Sequence, residues 1–315
     1  MKAVVLDDRD QFSVAEMPEP APGPGQVAIR VAYAGIQWGD VLVRDGHFPA
    51  QRPFIPGFEA AGQVIATGTG VEDVSVGDQV TALTSAGAYA EVVVAPAVLT
   101  LPASGLDLRT AAASGWTTPT AYELITTVSR VRPSDRVLIH AAAGAVGTMA
   151  AQFARLAGAD TVTGVAGNPA RAAYAASFGY DRLLTRSDFP QALGGESFDV
   201  ILDPVGGPAR RASLQLLAPH GRLAVYGNIA TFEPVTVSAN DLLMTGASLL
   251  TYNSSLLSQT SPARLAESAR LALESLGSGQ VKIDITAEYA MTDLGTAIQE
   301  LADGTTRGKT ILRLA

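Results

Sequence analysis

The feature that most constrains the fold of this chain is an apolar strand pattern that leads through a loop of small residues into a helix. Residues 136–140 (RVLIH) have the composition of a buried strand, and residues 146–156 have helical spacing up to a stop at Gly158. Between them, residues 141–147 read AAAGAVG. A glycine-containing turn between a strand and a helix is typical of phosphate-binding loops, because the first helical amides point at the turn. This segment predicts a βα unit with an anion site at its loop.

The same rhythm continues beyond this unit. Further strand patterns cover residues 161–165, 183–184, 198–202, 222–226 and 248–252, and helical patterns cover 169–178 and 208–217. The strands are almost continuously apolar, as expected where helices cover both faces of a parallel sheet. An amphipathic helix over 262–276 and a strand over 308–314 follow. We expect a doubly wound α/β domain in this part of the chain.

The first 115 or so residues have a different pattern, with alternating apolar residues and frequent turn signals. Val27, Ile29 and Val31 alternate as on one face of a strand, and residues 18–25 contain four prolines. The length of 315 residues and the hydrophobic fraction of 47% suit two folded domains. We expect the first of them to be mainly β.

Charge and composition exclude several classes of function. With 22 Lys and Arg against 30 Asp and Glu, the net charge of −8 disfavours binding to nucleic acid. No apolar run reaches the roughly 18 residues of a membrane span, and the N-terminus does not resemble a signal peptide, so we expect a cytoplasmic protein that does not enter the membrane. There are no cysteines, and the three histidines lie far apart in the sequence. Disulfides, thiolate metal sites and a cysteine nucleophile are therefore impossible, and we expect no metal site.

The loop of the first βα unit matches the dinucleotide fingerprint G-x-G-x-x-G, with Ala142 in place of the first glycine. Gly144 would let the backbone approach a pyrophosphate, and Gly147 would let the helix pack closely on the strand. Ala145 and Val146 would supply amides from the first turn of that helix. The strand before it and the βα units behind it give the motif the context that it requires, so we predict a dinucleotide site rather than a structural turn.

The residues after the second strand of this sheet favour NADPH over NADH. An NAD site usually has an acid there for the ribose 2′-hydroxyl, but this chain has Gly167 and Asn168, with Arg171 one turn into the next helix. A guanidinium can bind the 2′-phosphate of NADPH, whereas a carboxylate would repel it. Arg186, after the third strand, is a second candidate. The alternative is that Arg171 is only a solvated helix residue.

Several short motifs occur in an order that resembles one enzyme family over nearly the whole chain. They are residues 35–40 (GIQWGD), 44–46 (RDG), 56–62 (PGFEAAG), 77–80 (GDQV), 87–91 (GAYAE), 120–122 (TAY), 199–207 (DVILDPVGG), 217–222 (LAPHGR) and 308–309 (GK). In this order and spacing the chain resembles the zinc-independent, ζ-crystallin-like quinone oxidoreductases of the medium-chain dehydrogenase/reductase superfamily.

The resemblance implies a GroES-like β domain plus a Rossmann domain with a doubly wound parallel sheet. The GroES-like domain would comprise residues 1–116 and 260–315, and the Rossmann domain residues 117–259. It also implies a homodimer formed through the outer Rossmann strand, for which residues 246–252 are the candidate edge.

Two departures from the zinc-dependent branch indicate a reaction without a metal. Phe58 and Gln37 occupy positions at which the zinc-dependent enzymes carry metal ligands. The four-cysteine structural lobe of those enzymes is also absent. Alcohol oxidation would lack the Lewis acid that stabilises an alkoxide. Reduction of a quinone or of a C=C bond conjugated to a carbonyl does not need one, because the acceptor itself delocalises the charge.

The resemblance also assigns candidate site residues, each with a structural alternative. Gln37, Trp38 and Tyr252 are the catalytic candidates: an amide near substrate and nicotinamide, an aromatic wall, and a possible proton donor. Each could instead serve packing or backbone hydrogen bonding. Thr120 is expected to face the nicotinamide. Gly227 and Asn228 follow the fifth strand of the sheet, at the edge where cofactors bind.

The sequence thus predicts an NADPH-dependent oxidoreductase that reduces a small quinone or an α,β-unsaturated carbonyl compound. Two alternatives stay open. One is a reductase of enoyl thioesters or of polyketide intermediates, which would share the cofactor apparatus. The other is a non-catalytic NADPH-binding protein, since some relatives serve as lens crystallins.

Overall fold

A computed structural model describes residues 1–48, 50–103 and 105–314 of the chain, and the helices and strands follow one another in two compact units. The strands are β1 (Lys2–Leu6), β2 (Phe12–Glu16), β3 (Gln26–Ile36), β4 (Glu59–Thr67), β5 (Gln79–Leu83), β6 (Val92–Pro96), β7 (Thr100–Pro102), β8 (Arg136–His140), β9 (Thr161–Ala166), β10 (Arg182–Thr185), β11 (Phe198–Asp203), β12 (Leu217–Val225), β13 (Ser248–Thr251), β14 (Ile285–Ala290) and β15 (Lys309–Arg313). The helices are α1 (Trp38–Arg44), α2 (Leu108–Ser114), α3 (Thr117–Glu123), α4 (Ala145–Leu156), α5 (Pro169–Ala175), α6 (Gly207–Gln215), α7 (Ala239–Thr245), α8 (Ser254–Thr260), α9 (Pro262–Gly277) and α10 (Leu294–Ala302).

The first unit, Met1–Pro119 with Ser255–Ala315, is built on a mostly antiparallel sheet. Its strands lie in the order β14-β15-β3-β4-β5-β7, with β6 also paired to β3, and β1 and β2 form a separate hairpin. Strand β15 lies beside β3, so that Thr310 is opposite Ile36. The C-terminal strand is therefore part of the same sheet as the N-terminal strands.

The second unit, Thr120–Ser254, contains a six-stranded sheet in the order β10-β9-β8-β11-β12-β13. Every pairing in this sheet is parallel. The central strands β8 and β11 are buried on both faces, as their continuous apolar sequences predict. All strands have their carboxyl ends at one edge, where the loops after β8, β9, β11 and β12 meet. The predicted combination of a GroES-like β domain and a Rossmann domain is confirmed.

One predicted helix ends earlier than expected. The helical pattern extends to Leu217, but α6 ends at Gln215 because the chain already pairs with β11 there: the Phe198 amide donates to the Leu216 carbonyl at 2.8 Å. Leu217 then stands opposite Phe198 as the first residue of β12. Sheet pairing thus overrides helical spacing at this boundary.

Across residues 1–48, 50–103 and 105–314, no helix is both long enough and apolar enough to cross a lipid bilayer.

Candidate active site

The loop between β8 and α4 presents the start of a helix at the carboxyl edge of the parallel sheet. Gly144 is the N-cap residue, with φ −80° and ψ 166°, and Ala145 and Val146 begin the helix. Amides in the first turn of an α-helix have no partner within the helix, and the helix dipole places partial positive charge there. A pyrophosphate is an anion that such a helix start attracts. The predicted loop residues have the local structure that a dinucleotide site requires.

Gly147 allows α4 to pack directly on this loop. A Cβ atom placed on Gly147 would lie 2.5 Å from the carbonyl oxygen of Ala141 and 3.0 Å from the Cα atom of Ala142. Any side chain at this position would therefore push the helix away from the loop. Ala142, at the place of the fingerprint's first glycine, is fully buried and packs with Ala143 in a small apolar cluster. Its methyl group is thus accommodated by packing.

Tyr180 braces the same loop, and sequence reasoning missed it. Its hydroxyl donates to the carbonyl oxygen of Gly147 at 2.8 Å and lies 3.3 Å from that of Ala142. Burial raises the pKa of Tyr180 well above its ordinary value, so the hydroxyl remains a neutral donor. Nothing in the local pattern marks this contact, because Tyr180 lies 33 residues from Gly147 in sequence.

Two guanidinium groups converge at the end of β9. A Cβ atom placed on Gly167 would lie 3.6 Å from Nη1 of Arg171 and 3.9 Å from Nη2 of Arg186. Asn168 caps α5, and its Oδ1 accepts the amide of Arg171 at 2.9 Å. Burial, and secondarily the charge of Arg186, lower the pKa of Arg171. The structure thus brings together the four residues predicted here and places like charges side by side, an arrangement that an anion would stabilise.

Another predicted pair, Gly227 and Asn228, is held by Arg210. The Arg210 guanidinium donates through Nε to the buried Asp203 at 2.6 Å, through Nη1 to Oδ1 of Asn228 at 3.0 Å, and through Nη2 to the carbonyl of Gly227 at 2.7 Å. Asp203 in turn accepts the amides of the turn after β11, including that of Val205 at 2.6 Å. This network fixes the loop after β12. Because Oδ1 of Asn228 accepts from Arg210, the side-chain nitrogen of Asn228 is the group that can donate to a ligand.

Thr120 and Tyr252 are the other predicted site residues of the second unit. Thr120 is half-buried within α3. Tyr252 directly follows β13, and its backbone amide donates to the carbonyl of Val225 at 2.9 Å. This bond holds Tyr252 beside the carboxyl end of β12.

In the first unit, Gln37 lies at the junction between β3 and α1, where it is the N-cap residue. Its backbone amide donates to Oδ2 of Asp40 at 2.9 Å. The same oxygen accepts the hydroxyl of the fully buried Tyr89 at 2.6 Å. Burial raises the pKa of Asp40 to about 7, against the opposing effects of Tyr89, Gln37 and Lys309. Asp40 therefore anchors the start of the helix that carries Gln37 and Trp38.

A buried ion pair lies close to this carboxylate. Nζ of Lys309 is 2.5 Å from Oε1 of Glu59, and both side chains are at most 2% exposed. Oε2 of Glu59 accepts the backbone amide of Trp116 at 2.6 Å. A Cβ on Gly115 would lie 2.8 Å from that same oxygen, so the carboxylate is tightly enclosed. Glu59, the acid of the PGFEAAG motif, therefore has a structural role, with Lys309 of the GK motif as its partner.

Gln37 and Phe58, the two residues at metal-ligand positions of zinc enzymes, lie near one another around Gly39. A Cβ on Gly39 would lie 3.4 Å from the Phe58 ring and 3.9 Å from Cδ of Gln37. Phe58 packs with Leu83 and other apolar residues. Trp38 is half-buried against the core of the β unit. This part of the site has two aromatic side chains and one amide.

Comparison with known proteins identifies the class. Residues 145–272 match the family model of zinc-binding dehydrogenases, and residues 23–105 match that of the alcohol dehydrogenase GroES-like domain. The 2-haloacrylate reductase of a Burkholderia species is 30% identical over 320 residues, covering 96% of this chain and 95% of that protein. The NADPH complex of Escherichia coli quinone oxidoreductase has a TM-score of 0.89 at 26% identity, covering 99% of this chain and 100% of that one. The phthioceranic/hydroxyphthioceranic acid synthase of Mycobacterium tuberculosis is 30% identical over 317 residues, which are 98% of this chain but 15% of the synthase.

A GroES-like unit joined to a dinucleotide-type parallel sheet defines a dehydrogenase or reductase of the alcohol dehydrogenase type. The chain belongs to the medium-chain dehydrogenase/reductase superfamily and is similar to its quinone oxidoreductases, as its sequence motifs predict.

The residues present do not fit the zinc ion that one family description implies. The sequence contains no cysteine, and Gln37 and Phe58 offer an amide and a phenyl ring at the ligand positions. Within the ranges 1–48, 50–103 and 105–314, no three His, Cys, Asp or Glu side chains are grouped so that they could hold a metal. Zinc prefers thiolate, imidazole and carboxylate ligands, which these two positions do not offer.

Proposed function

We propose that this protein is an NADPH-dependent reductase of quinones or of C=C bonds conjugated to a carbonyl group. The observation that carries the proposal is the convergence of Arg171 and Arg186 at Gly167, beside a helix start suited to a pyrophosphate. The NADPH complex of the E. coli quinone oxidoreductase supports the cofactor. The relative named 2-haloacrylate reductase supports the acceptor class, since an acrylate has a C=C bond conjugated to a carboxyl group.

We propose that the cofactor is held by residues at the carboxyl edge of the parallel sheet. Ala145, Val146 and Gly147 supply the helix start for the pyrophosphate. Arg171 and Arg186 bind the 2′-phosphate with charged hydrogen bonds, which are about twice as strong as neutral ones. Thr120, Asn168, Gly227 and Asn228 complete the contacts from their loops and helices. Bound NADPH supplies a hydride to an electron-poor carbon of the acceptor.

Three side chains are proposed to act on the acceptor. The amide of Gln37 donates a hydrogen bond to the oxygen on which negative charge develops, and Trp38 restricts the acceptor to a flat orientation. Tyr252 delivers a proton to the enolate or hydroquinone anion that hydride addition leaves, and water restores the proton of Tyr252. The acceptor's own conjugation spreads the charge, so the amide does not need the help of a metal ion.

The edge strand β13 supports the proposal of a homodimer. It lies at the end of the parallel sheet, and Leu249 within it is 37% exposed. Just before it, Leu243 and Met244 of α7 are 77% and 83% exposed. An edge strand with apolar neighbours is a template for pairing with a second copy. We propose that residues 246–252 of two copies pair with each other.

A second function, reduction of an enoyl thioester, is favoured by the match to the mycobacterial synthase across 98% of this chain. The chain spans only 15% of that synthase, so the activity of the whole synthase is not transferred to this chain. Reduction of an enoyl thioester by this chain is a proposal.

A cytoplasmic location and a small-molecule acceptor are predictions from the sequence.

The assay that separates these functions follows the loss of NADPH absorbance with a quinone, a simple enone and an enoyl thioester in parallel. We expect turnover of the quinone or the enone. Turnover of the thioester alone would favour the second function. Tight NADPH binding without turnover of any acceptor would contradict both and favour a binding protein.

A further inference from the structure

We propose that Asp40 is a positioning residue that controls the orientation of Gln37 through its protonation state. The inference rests on the function proposed above, in which Gln37 contacts the acceptor. It concerns a side chain that is 1% exposed and to which the proposed reaction assigns no role.

The geometry shows how one carboxylate can control the junction between β3 and α1. Oδ2 of Asp40 accepts both the backbone amide of Gln37 at 2.9 Å and the hydroxyl of Tyr89 at 2.6 Å. Asp40 is 1% exposed and Tyr89 is fully buried, so solvent does not compete for these bonds. The two bonds connect the start of α1 to the segment before β6.

Tyr89 has a second acceptor within reach. Its hydroxyl lies 3.2 Å from the carbonyl oxygen of Gly35, as well as 2.6 Å from Asp40. A hydroxyl has one proton to donate. While Asp40 is ionised, the charged and shorter bond is favoured. When Asp40 gains a proton, it becomes a weaker acceptor, and the Tyr89 hydroxyl can turn to the carbonyl of Gly35. The hydrogen bond from the backbone amide of Gln37 to Asp40 then weakens as well.

The groups around Asp40 place the pKa of its carboxyl group in the neutral range. Burial raises the pKa of Asp40 to about 7, and the nearby charge of Glu59 acts in the same direction. The Tyr89 and Gln37 hydrogen bonds and the charge of Lys309 oppose that rise. Oδ1 of Asp40 is buried, and among the described residues it has no hydrogen-bond partner that could favour the ionised form further. Both protonation states are therefore populated near pH 7.

Two consequences follow for activity and for the free protein. The ionised carboxylate holds the backbone amide of Gln37 more strongly and so keeps in place the residue whose side chain is proposed to contact the acceptor. We therefore expect kcat to rise as pH increases through about 7. In the protein without cofactor or substrate, the backbone amide of Gln37 should report the same titration, because its hydrogen-bond acceptor changes charge. The amide signal is independent of turnover.

The test compares the wild type with Asp40→Asn, Tyr89→Phe and the control Asp45→Asn. Asp45 caps the other end of α1 at the surface, where it pairs with Arg44. For each protein, kcat and KM are measured from pH 5.5 to 8.5, and the Gln37 amide is followed by ¹H–¹⁵N NMR. Asp40→Asn retains an acceptor for the Gln37 amide but cannot titrate. We expect it to lower kcat at pH 8 about 3- to 10-fold, because a neutral hydrogen bond replaces a charged one, with an unchanged KM for NADPH.

The expected pattern has four parts. The wild type and Asp45→Asn show an inflection near pH 7 in both kcat and the Gln37 amide shift. Asp40→Asn shows neither inflection, and Tyr89→Phe moves both to higher pH because it loses a bond that lowers the Asp40 pKa.

An amide that does not titrate in the wild type, or an inflection that persists in Asp40→Asn, would overturn the inference. If no acceptor is turned over, the proposed function fails, but the amide titration still decides whether Asp40 controls Gln37. Should Asp40→Asn not fold, the shift in Tyr89→Phe decides the matter.

Discussion

Replacement of Arg171 by alanine tests the cofactor assignment most sharply. If its guanidinium binds the 2′-phosphate, the variant loses one charged hydrogen bond, which is worth about 1.5–3 kcal/mol. That corresponds to a roughly 10- to 150-fold weaker affinity for NADPH. NADH has no 2′-phosphate, so its affinity should remain nearly unchanged. Fluorescence titration of both nucleotides with the purified protein measures the difference.

The structure adds a signature that distinguishes lost binding from lost folding. In the free protein, the charge of Arg171 is disfavoured by burial and by the neighbouring Arg186. Removing it relieves that repulsion, so the thermal midpoint without nucleotide should stay constant or rise. Arg186 is exposed, so Arg186→Ala should weaken NADPH binding less, by about 3- to 10-fold. Since both groups are proposed to bind one phosphate, their effects should not be additive.

A matched control removes an arginine from a different surface. Arg270 on α9 forms an exposed pair with Glu274 one turn away. Arg270→Ala should leave both nucleotide affinities unchanged. An equal loss of NADPH and NADH affinity in Arg171→Ala, or no loss at all, would refute the assignment of a 2′-phosphate site.

Three further predictions follow from burial and packing. Gly147→Ala should weaken NADPH binding at least tenfold and destabilise the fold by about 1–3 kcal/mol, because the new methyl group overlaps the loop. The control Gly144→Ala, whose Cβ would lie 3.3 Å from the nearest atom, should reduce affinity and stability less. Equal effects of the two variants in NADPH titration and urea unfolding would contradict this. Burial lowers the pKa of His140 to about 4. Between pH 6.5 and 4 the unfolded chain therefore binds a proton at His140 that the folded protein does not bind. The free energy of unfolding should fall as pH drops through that window, and it should fall less steeply in His140→Gln. Identical pH slopes of the two proteins in urea unfolding would argue against this role of His140. Leu249→Lys should shift the protein to monomers in light scattering with a preserved circular dichroism spectrum, whereas an unchanged dimer, or a monomeric wild type, would exclude pairing through β13.

The parts of the fold that could be predicted from sequence are those encoded by local patterns. Strands such as β8 and β11 are short apolar runs followed by turn residues, and parallel pairing requires both faces to be covered. The glycine loop before α4 could be located because its fingerprint consists of residues that are close together in the sequence. The cluster at Gly167 was also predictable, since the carboxyl ends of neighbouring parallel strands lie at one edge.

The contacts that were missed join residues far apart in the chain. Lys309 and Glu59 are 250 positions apart, and neither local pattern indicates the other as a partner. Helix α1 was not predicted because its seven residues lie between strand-like segments and its N-cap is Gln37, which is not among the strongly preferred capping residues. Tyr180, which braces the loop after β8, likewise reads locally as an ordinary aromatic residue.

The most direct measurement of the proposed chemistry is isotope transfer from stereospecifically deuterated NADPH to an enone, with protein treated beforehand with a chelator. Direct hydride transfer without a metal predicts one deuterium on the β-carbon of the product and a turnover rate that the chelator does not change. A product without deuterium, or turnover that is lost with the chelator and restored by zinc, would contradict it.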